Sequence, residues 1–354
     1  MVRLPREAGY QPVVATDEGT ALTGKQVSLT PDLKLSDVVI ADYVGVLVPC
    51  MGFGMGNGLA PEGVALVRQA ADSNLPVAAQ NGGSQSLEEP VGGSPEGGSQ
   101  MASASINGIN INYKAEGEGE ALVLIAGISQ DLRSLDAAAA AFKKHFKVIR
   151  LDNRGTGKSD GPSGACSIRT MAEDVICLMD HLDVEKASVL GYSMGGLIAQ
   201  EIAINYPHRV NKLLLCATFS CQDEDSGMTP ELAKVAALPW AQSIRGFMGL
   251  LFNSPVRRLL FTILSKLVDK KAFRATFELQ AAAIANHNAR DRLGLIKAPT
   301  LVVVGTNDRL IRTSSSEVLA REIPGAKLVK ITNGSHMLFA ESGRSMSDEV
   351  LHFL

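Results

Sequence analysis

Cysteine, aromatic residues and net charge are all scarce in this 354-residue chain. The five cysteines are Cys50, Cys166, Cys177, Cys216 and Cys221. Their number is odd and no C-x-x-C pair occurs, which argues against a disulfide framework or a zinc site and points to a reducing, cytoplasmic compartment. A formal charge of -3 gives no electrostatic reason to expect nucleic acid or an acidic membrane as partner. No run of about 18 apolar residues exists, so no membrane span is expected. The richest apolar stretch, Val38 to Val48, is broken by Asp42 and Gly45. The first residues, Met1-Val2-Arg3-Leu4-Pro5-Arg6-Glu7, lack the apolar region of a secretory signal.

What is present reads as globular α/β material. Residues 1–80 alternate candidate strands (Gln11 to Thr16, Tyr43 to Pro49, Leu75 to Ala79) with a helical stretch from Val64 to Ala71. Three short strands make a small core, marginal alone. Residues 81–105 are dominated by Gly, Ser, Pro and Glu at first and are expected to form a flexible linker. From Ile106 the pattern is regular. Ile106 to Tyr113 alternates around Gly108 as a hairpin should, and Ala121 to Gly127 is a continuous apolar run suited to a strand buried on both faces. Further strands are expected at Phe146 to Asp152, Ala187 to Leu190, Lys212 to Ala217, Pro299 to Gly305 and Lys327 to Ile331, with helices between them and a closing helix from Ser347. Residues 222–290 lose strand character. Their periodic apolar residues, from Leu232 through Trp240 and Phe247 to Leu267, indicate several helices. A parallel sheet covered on both faces and interrupted by a helical cap after its sixth strand is the architecture this implies. Its core is 106–221 with 291–354, and its cap is 222–290.

The densest chemical signal is Ala187-Ser188-Val189-Leu190-Gly191-Tyr192-Ser193-Met194-Gly195-Gly196-Leu197. A strand runs into a glycine-flanked serine and then a helix, the G-x-S-x-G turn that lifts a serine hydroxyl to a helix N-terminus, where N–H groups and the dipole favour developing negative charge. A serine at its free pKa needs a base, and the base an orienting carboxylate. Asp308 leaves the end of the Thr300–Gly305 strand, and His336 follows the strand ending at Ile331. Asp223 is the runner-up acid. His287, at the end of the cap, is the rival base, while His145, His181, His208 and His352 fit worse. The N–H of Met194 and that of Ile128, on the loop after Leu122–Ile125, are the expected oxyanion donors. The glycine-rich loop Asn153-Arg154-Gly155-Thr156-Gly157-Lys158-Ser159 lacks the spacing of a phosphate loop.

These motifs, with Pro299-Thr300-Leu301-Val302-Val303-Val304-Gly305 and Gly334-Ser335-His336, resemble the α/β-hydrolase superfamily over 106–354, and within it the small esterase, enol-lactonase and cofactor-free haloperoxidase group. The resemblance implies a Ser193, Asp308, His336 triad. It also implies an oxyanion hole at Ile128 and Met194, and an apolar small-molecule ester or lactone as substrate, with no metal or organic cofactor. Hydrolysis of a C–C bond, perhalide formation through a peracid, or mere ligand binding on the same fold are the other readings. Ala126-Gly127 stands where the family usually carries His-Gly, a departure that bears on loop geometry. Trp240, Phe247, Met248 and Phe252 suggest an apolar acyl pocket.

Residues 1–80 separately resemble part of a glutamine-amidotransferase-like (PfpI-type) domain, through Ala8-Gly9-Tyr10, Ala15-Thr16, Gly19, Asp42-Tyr43, Leu47-Val48-Pro49 and Leu75-Pro76-Val77-Ala78-Ala79. Gln80 stands where that family has its cysteine nucleophile, and Cys50 follows a different strand, so the segment reads as catalytically silent.

Overall fold

The structure, a computed structural model, describes residues 101–161, 166–254 and 270–354 and six short strands nearer the N-terminus. Those six form three separate pairs: Ala15–Thr16 with Leu33–Lys34, Leu22–Gly24 with Val27–Leu29, and Val46–Pro49 with Val77–Gln80. Three of them fall within the strands expected from the sequence, or overlap them. The helix expected at 64–71, Cys50 and residues 81–100 lie outside the described residues.

The larger unit is built on eight strands: β1 (Met101–Ile106), β2 (Ile109–Glu116), β3 (Ala121–Ile125), β4 (Lys147–Leu151), β5 (Ala187–Tyr192), β6 (Val210–Cys216), β7 (Thr300–Gly305) and β8 (Lys327–Ile331). Their order across the sheet is β1-β2-β4-β3-β5-β6-β7-β8. The β1–β2 and β2–β4 pairings are antiparallel, and all the others are parallel. The linker expectation is corrected at its end. Residues 101–105 pair with Asn110 to Lys114 as an edge strand. Alanine and serine carry little strand propensity, and it is the partner strand that makes Ala102 to Ser105 extended.

Side chains of the central strands alternate between two apolar layers, as the two-residue period requires. Val123, Ile125, Val189, Leu213, Leu215 and Val302 face one layer, filled by α2 (Ile168–His181) and α3 (Met194–Asn205). Leu122, Leu124, Leu190, Leu214, Leu301 and Val303 face the other, filled by α1 (Asp136–Phe142) and, after β8, by α8 (Leu338–Glu341) and α9 (Gly343–Phe353). Both faces are therefore covered, which is why these strands read as unbroken apolar runs.

Between β6 and β7 lie α4 (Pro230–Ala236), α5 (Trp240–Leu251) and α6 (Lys270–Ala285). Thr229 caps α4 by accepting the Leu232 N–H at 3.1 Å. Leu259, Leu260, Ile263 and Leu267 lie outside the described residues. The helix α7 (Thr313–Glu322) joins β7 to β8. Among the described residues no helix is long and apolar enough to cross a membrane.

What positions the site is register. Gly191 stands level with Ile125 and with Leu215, Cys216 with Val303, and Gly305 with Ile331. The carboxyl ends of β3, β5, β6, β7 and β8 thus share one edge, where open parallel sheets present their loops to ligands.

Candidate active site

Ser193 follows directly on β5 and is the N-cap of α3. Its φ of 55° and ψ of -121° lie in a region that non-glycine residues rarely adopt. The surroundings hold it there. Its N–H donates to the Cys216 carbonyl at 2.9 Å, and its carbonyl accepts from the Gly196 N–H and the Thr218 hydroxyl, both at 2.8 Å. The flanking glycines are demanded by close approach. A Cβ on Gly191 would meet the Gly195 carbonyl at 2.2 Å, and one on Gly195 the Ile125 carbonyl at 2.1 Å. Ser193 itself is half-buried.

The three residues singled out for the triad meet. His336 Nε2 lies 3.1 Å from Ser193 Oγ, and His336 Nδ1 lies 2.8 Å from Asp308 Oδ2. The other oxygen of Asp308 accepts the Leu310 and Ile311 N–H groups at 2.8 and 3.0 Å, so the carboxylate is held at both ends. The chain after β6 braces this turn: Thr229 donates to the Leu310 carbonyl through its N–H at 2.9 Å and to the Arg309 carbonyl through its hydroxyl at 2.7 Å.

The rivals go elsewhere. Asp223 bonds the Cys221 thiol at 2.9 Å and Arg290 at 2.5 Å. The thiol's hydrogen bond, with help from Arg290 and two backbone N–H groups, holds the carboxyl at about 2. His287 is buried beside Glu201, 3.6 Å away, and Glu201 is itself gripped by Arg292. Burial lowers the His287 imidazole to about 4. His145, His181, His208 and His352 are exposed.

On the loop after β3, a Cβ on Gly127 would lie 3.1 Å from the Ser193 Cβ. The loop thus comes right up to the serine, with alanine in place of the usual histidine. Ala126 is buried, and its carbonyl accepts from the Asn153 side chain at 3.2 Å. The Gly127 N–H donates to the Gln130 side chain at 3.1 Å, and the Gln130 N–H to the Gly127 carbonyl at 3.2 Å. The Ser129 N–H donates at 2.7 Å to Gln280 of α6. Among the described residues, nothing accepts from the N–H of Ile128 or of Met194. These are the two donors expected to face a developing oxyanion.

The loop at 153–159 turns donors of Asn153, Arg154, Gly155 and Lys158 to partners within the protein. Asp152 accepts from the Lys158 N–H at 2.9 Å, the Asn112 side chain at 2.7 Å and the Leu132 N–H at 2.7 Å. Burial raises its carboxyl while these bonds oppose the shift. Arg154 meets Asp174 through two bonds, at 2.7 and 2.5 Å, which ties the loop to α2.

Within this architecture the family model for the alpha/beta hydrolase fold matches residues 120–342. The chain belongs to the alpha/beta hydrolase fold family. Among its relatives in that family is the 3-oxoadipate enol-lactonase 2 of Acinetobacter baylyi, 28% identical over an alignment of 259 residues that covers 68% of this chain and 92% of that protein. The enol-lactonase from Burkholderia xenovorans LB400 is similar in structure, with a TM-score of 0.61 and 26% identity over 71% of this chain and 99% of the other. Another similar structure is Est816, described as an N-acyl homoserine lactone degrading enzyme, with a TM-score of 0.61 and 27% identity over 72% of this chain and 100% of the other. These matches concern the hydrolase-fold unit. The likeness of residues 1–80 to a PfpI-type segment rests on the sequence motifs alone.

The aromatic residues of α5 and α6 face one another. The Trp240 ring centre lies 5.5 Å from that of Phe277, and that of Phe247 5.9 Å, both edge-on. Met248 and Phe252 are buried in the same apolar layer. They hold α5 to α6. Three residues around the site were not singled out from the sequence: Tyr192, Gln130 and Gln280. Tyr192 is inside the quoted motif, but its hydroxyl donates to the carbonyl of His336, 144 positions away. The glutamines carry no spacing signal at all. Among the described residues, no group of three His, Cys, Asp or Glu is placed to hold a metal ion.

Proposed function

We propose that this chain is a serine hydrolase of carboxylic esters or lactones. The observation that carries the reading is the continuous contact from Ser193 Oγ to His336 Nε2 at 3.1 Å and from His336 Nδ1 to Asp308 at 2.8 Å, beneath a strained, half-buried serine. Ser193 Oγ attacks the substrate carbonyl while His336 Nε2 takes its proton. Asp308 keeps the other ring proton on Nδ1 and favours the imidazolium that forms. The carbonyl oxygen gains charge between the N–H groups of Met194 and Ile128, at the N-terminus of α3. As the tetrahedral adduct collapses, the C–O bond of the alcohol breaks and His336 returns the proton to that oxygen. From an ester the alcohol departs. From a lactone it stays attached as the free end of an acyl chain. Water, deprotonated by His336, then releases the carboxylate product and restores the serine.

Three lactone-cleaving proteins among the similar chains favour ester and lactone bonds over the other readings. The described cysteines are free thiols, as suits a cytoplasmic protein. Residues 1–80 are assigned no part in the reaction.

The test is fluorophosphonate labelling of the full chain with mass mapping, followed by p-nitrophenyl esters of graded chain length and simple lactones. Labelling at Ser193, with turnover that Ser193→Ala abolishes in a folded protein, is the expected result. Turnover of a vinylogous diketone without ester turnover would move the reading to C–C hydrolysis, and an unlabelled Ser193 to ligand binding.

A further inference from the structure

The loop carrying Ile128 is fixed one peptide plane at a time. The plane between Ala126 and Gly127 is held by Asn153 at its carbonyl and by the Gln130 side chain at its N–H. The plane between Gly127 and Ile128 is held at its carbonyl, which accepts the Gln130 N–H, so the Ile128 N–H points the opposite way, as in any trans peptide. The next plane, between Ile128 and Ser129, is held from outside the loop. Its N–H donates at 2.7 Å to Oε1 of Gln280, on α6, 151 residues further along the chain. Ser129 has a φ of 54°, a left-handed conformation unfavourable for serine unless its surroundings hold it.

Gln280 is completely buried, and both ends of its amide are used. Nε2 donates to the Arg154 carbonyl at 3.2 Å, so a flipped amide would set N–H against N–H and oxygen against oxygen. A buried amide with both partners in place is a rigid strut. One turn earlier on the same helix, the Thr276 hydroxyl donates to the Gly155 carbonyl at 2.6 Å. That bond also ties α6 to the body, but it does not touch the 127–130 loop.

We propose that Gln280 is a positioning residue for the oxyanion hole: Gln130 sets the peptide plane that carries the Ile128 N–H, and Gln280, by fixing the next plane, keeps that N–H aimed at the carbonyl oxygen attacked by Ser193, so the hole is complete only with α6 seated. This rests on the serine-hydrolase reading above. Without the glutamine, Ser129 loses the contact that holds its positive φ and the loop gains a rotational freedom. The loss falls on the transition state, where the oxyanion needs the donor, more than on substrate binding.

The experiment compares wild-type full chain, Gln280→Leu and Thr276→Val on one p-nitrophenyl ester, together with the affinity of a trifluoromethyl ketone, which forms a tetrahedral adduct on the serine. Gln280→Leu is expected to lower kcat by about 10- to 100-fold, with KM within about threefold and ketone affinity falling in step with kcat/KM. Thr276→Val, which loosens the same helix, is expected to keep kcat within about twofold. If Gln280→Leu does not fold, Gln280→Asn, whose amide falls one methylene short, is read by the same ratios. Unchanged kcat in the glutamine variant, a loss confined to KM, or an equal loss in Thr276→Val overturns the inference while leaving the hydrolase reading in place. A wild-type chain inert to esters and to fluorophosphonate removes both.

Discussion

The Tyr192 hydroxyl donates to the backbone carbonyl of His336 at 2.5 Å, and the two rings lie 5.4 Å apart. The residue just before the serine therefore holds the loop that carries the proposed base. The phenol is wholly buried, and burial raises its pKa well above the usual range, so it stays a neutral donor. Tyr192→Phe leaves the His336 carbonyl without this donor in a buried place. A stability loss of about 1–2 kcal/mol in urea unfolding is expected, with a fall in kcat of about three- to tenfold. Unaltered kcat would show that the imidazole is held by Asp308 alone.

Asp308 divides its work between two oxygens, one for His336 and one for the Leu310 and Ile311 N–H groups. Asp308→Asn can keep the second with its carbonyl oxygen, so the fold is expected to survive. Its amide then donates to His336 Nδ1 and forces the proton onto Nε2, the wrong side for a base. A loss of about 10³- to 10⁴-fold in kcat is expected, by analogy with Ser-His-Asp enzymes. A small loss with an intact melting curve would count against the triad.

Ser193 is held at a φ of 55° and ψ of -121° for the sake of its hydroxyl. Glycine tolerates that conformation better. Ser193→Gly is expected to abolish ester turnover while stabilising the fold by about 1 kcal/mol, the relief of about 1–3 kcal/mol of strain less the greater freedom of glycine in the unfolded chain. Chemical denaturation of the two proteins checks the sign, and a less stable glycine variant would remove the strain argument.

His287 gives the fold an acid limit. Burial holds its native pKa near 4, against 6.5 when exposed. Between those values the unfolded chain takes up a proton that the native state refuses, so stability falls as pH drops from about 6.5 to 4, by as much as about 3 kcal/mol. Glu201, whose carboxyl is lowered by the Arg292 hydrogen bond against the pull of burial, adds stability that is present above its unfolded pKa and lost at still lower pH. His287→Gln is expected to flatten the stability profile between pH 6.5 and 4 without altering the pH dependence of turnover. An unchanged slope would show that the imidazole is protonated in the native state.

Much of this was legible in the chain. Both-face apolar runs such as Leu122–Ile125 belong to a covered parallel sheet whatever else is nearby, and a serine among Gly191, Gly195 and Gly196 between strand and helix predicts a tight turn from local sterics. The order Ser193, Asp308, His336 followed from where each residue leaves a strand. Less was legible where a residue's neighbour supplies the reason. The extended course of Ala102 to Ser105 comes from pairing with β2, and their own propensity gives no sign of it.

The sequence by itself determined the elements, their periodicity and the turn that presents the serine, because each depends on backbone preferences and contacts within a few residues. Tertiary structure decided the pairings. Asp308 rather than Asp223 meets His336, and His287 turns to Glu201. Gln280 reaches Ser129, and Tyr192 reaches His336. Those choices join groups dozens to about 150 positions apart. A side chain of ordinary type gives no local sign of which distant backbone it will satisfy. Only the packed sheet, with its strand ends in register and α6 bonded to the loops that leave them, brings such donors and acceptors within reach.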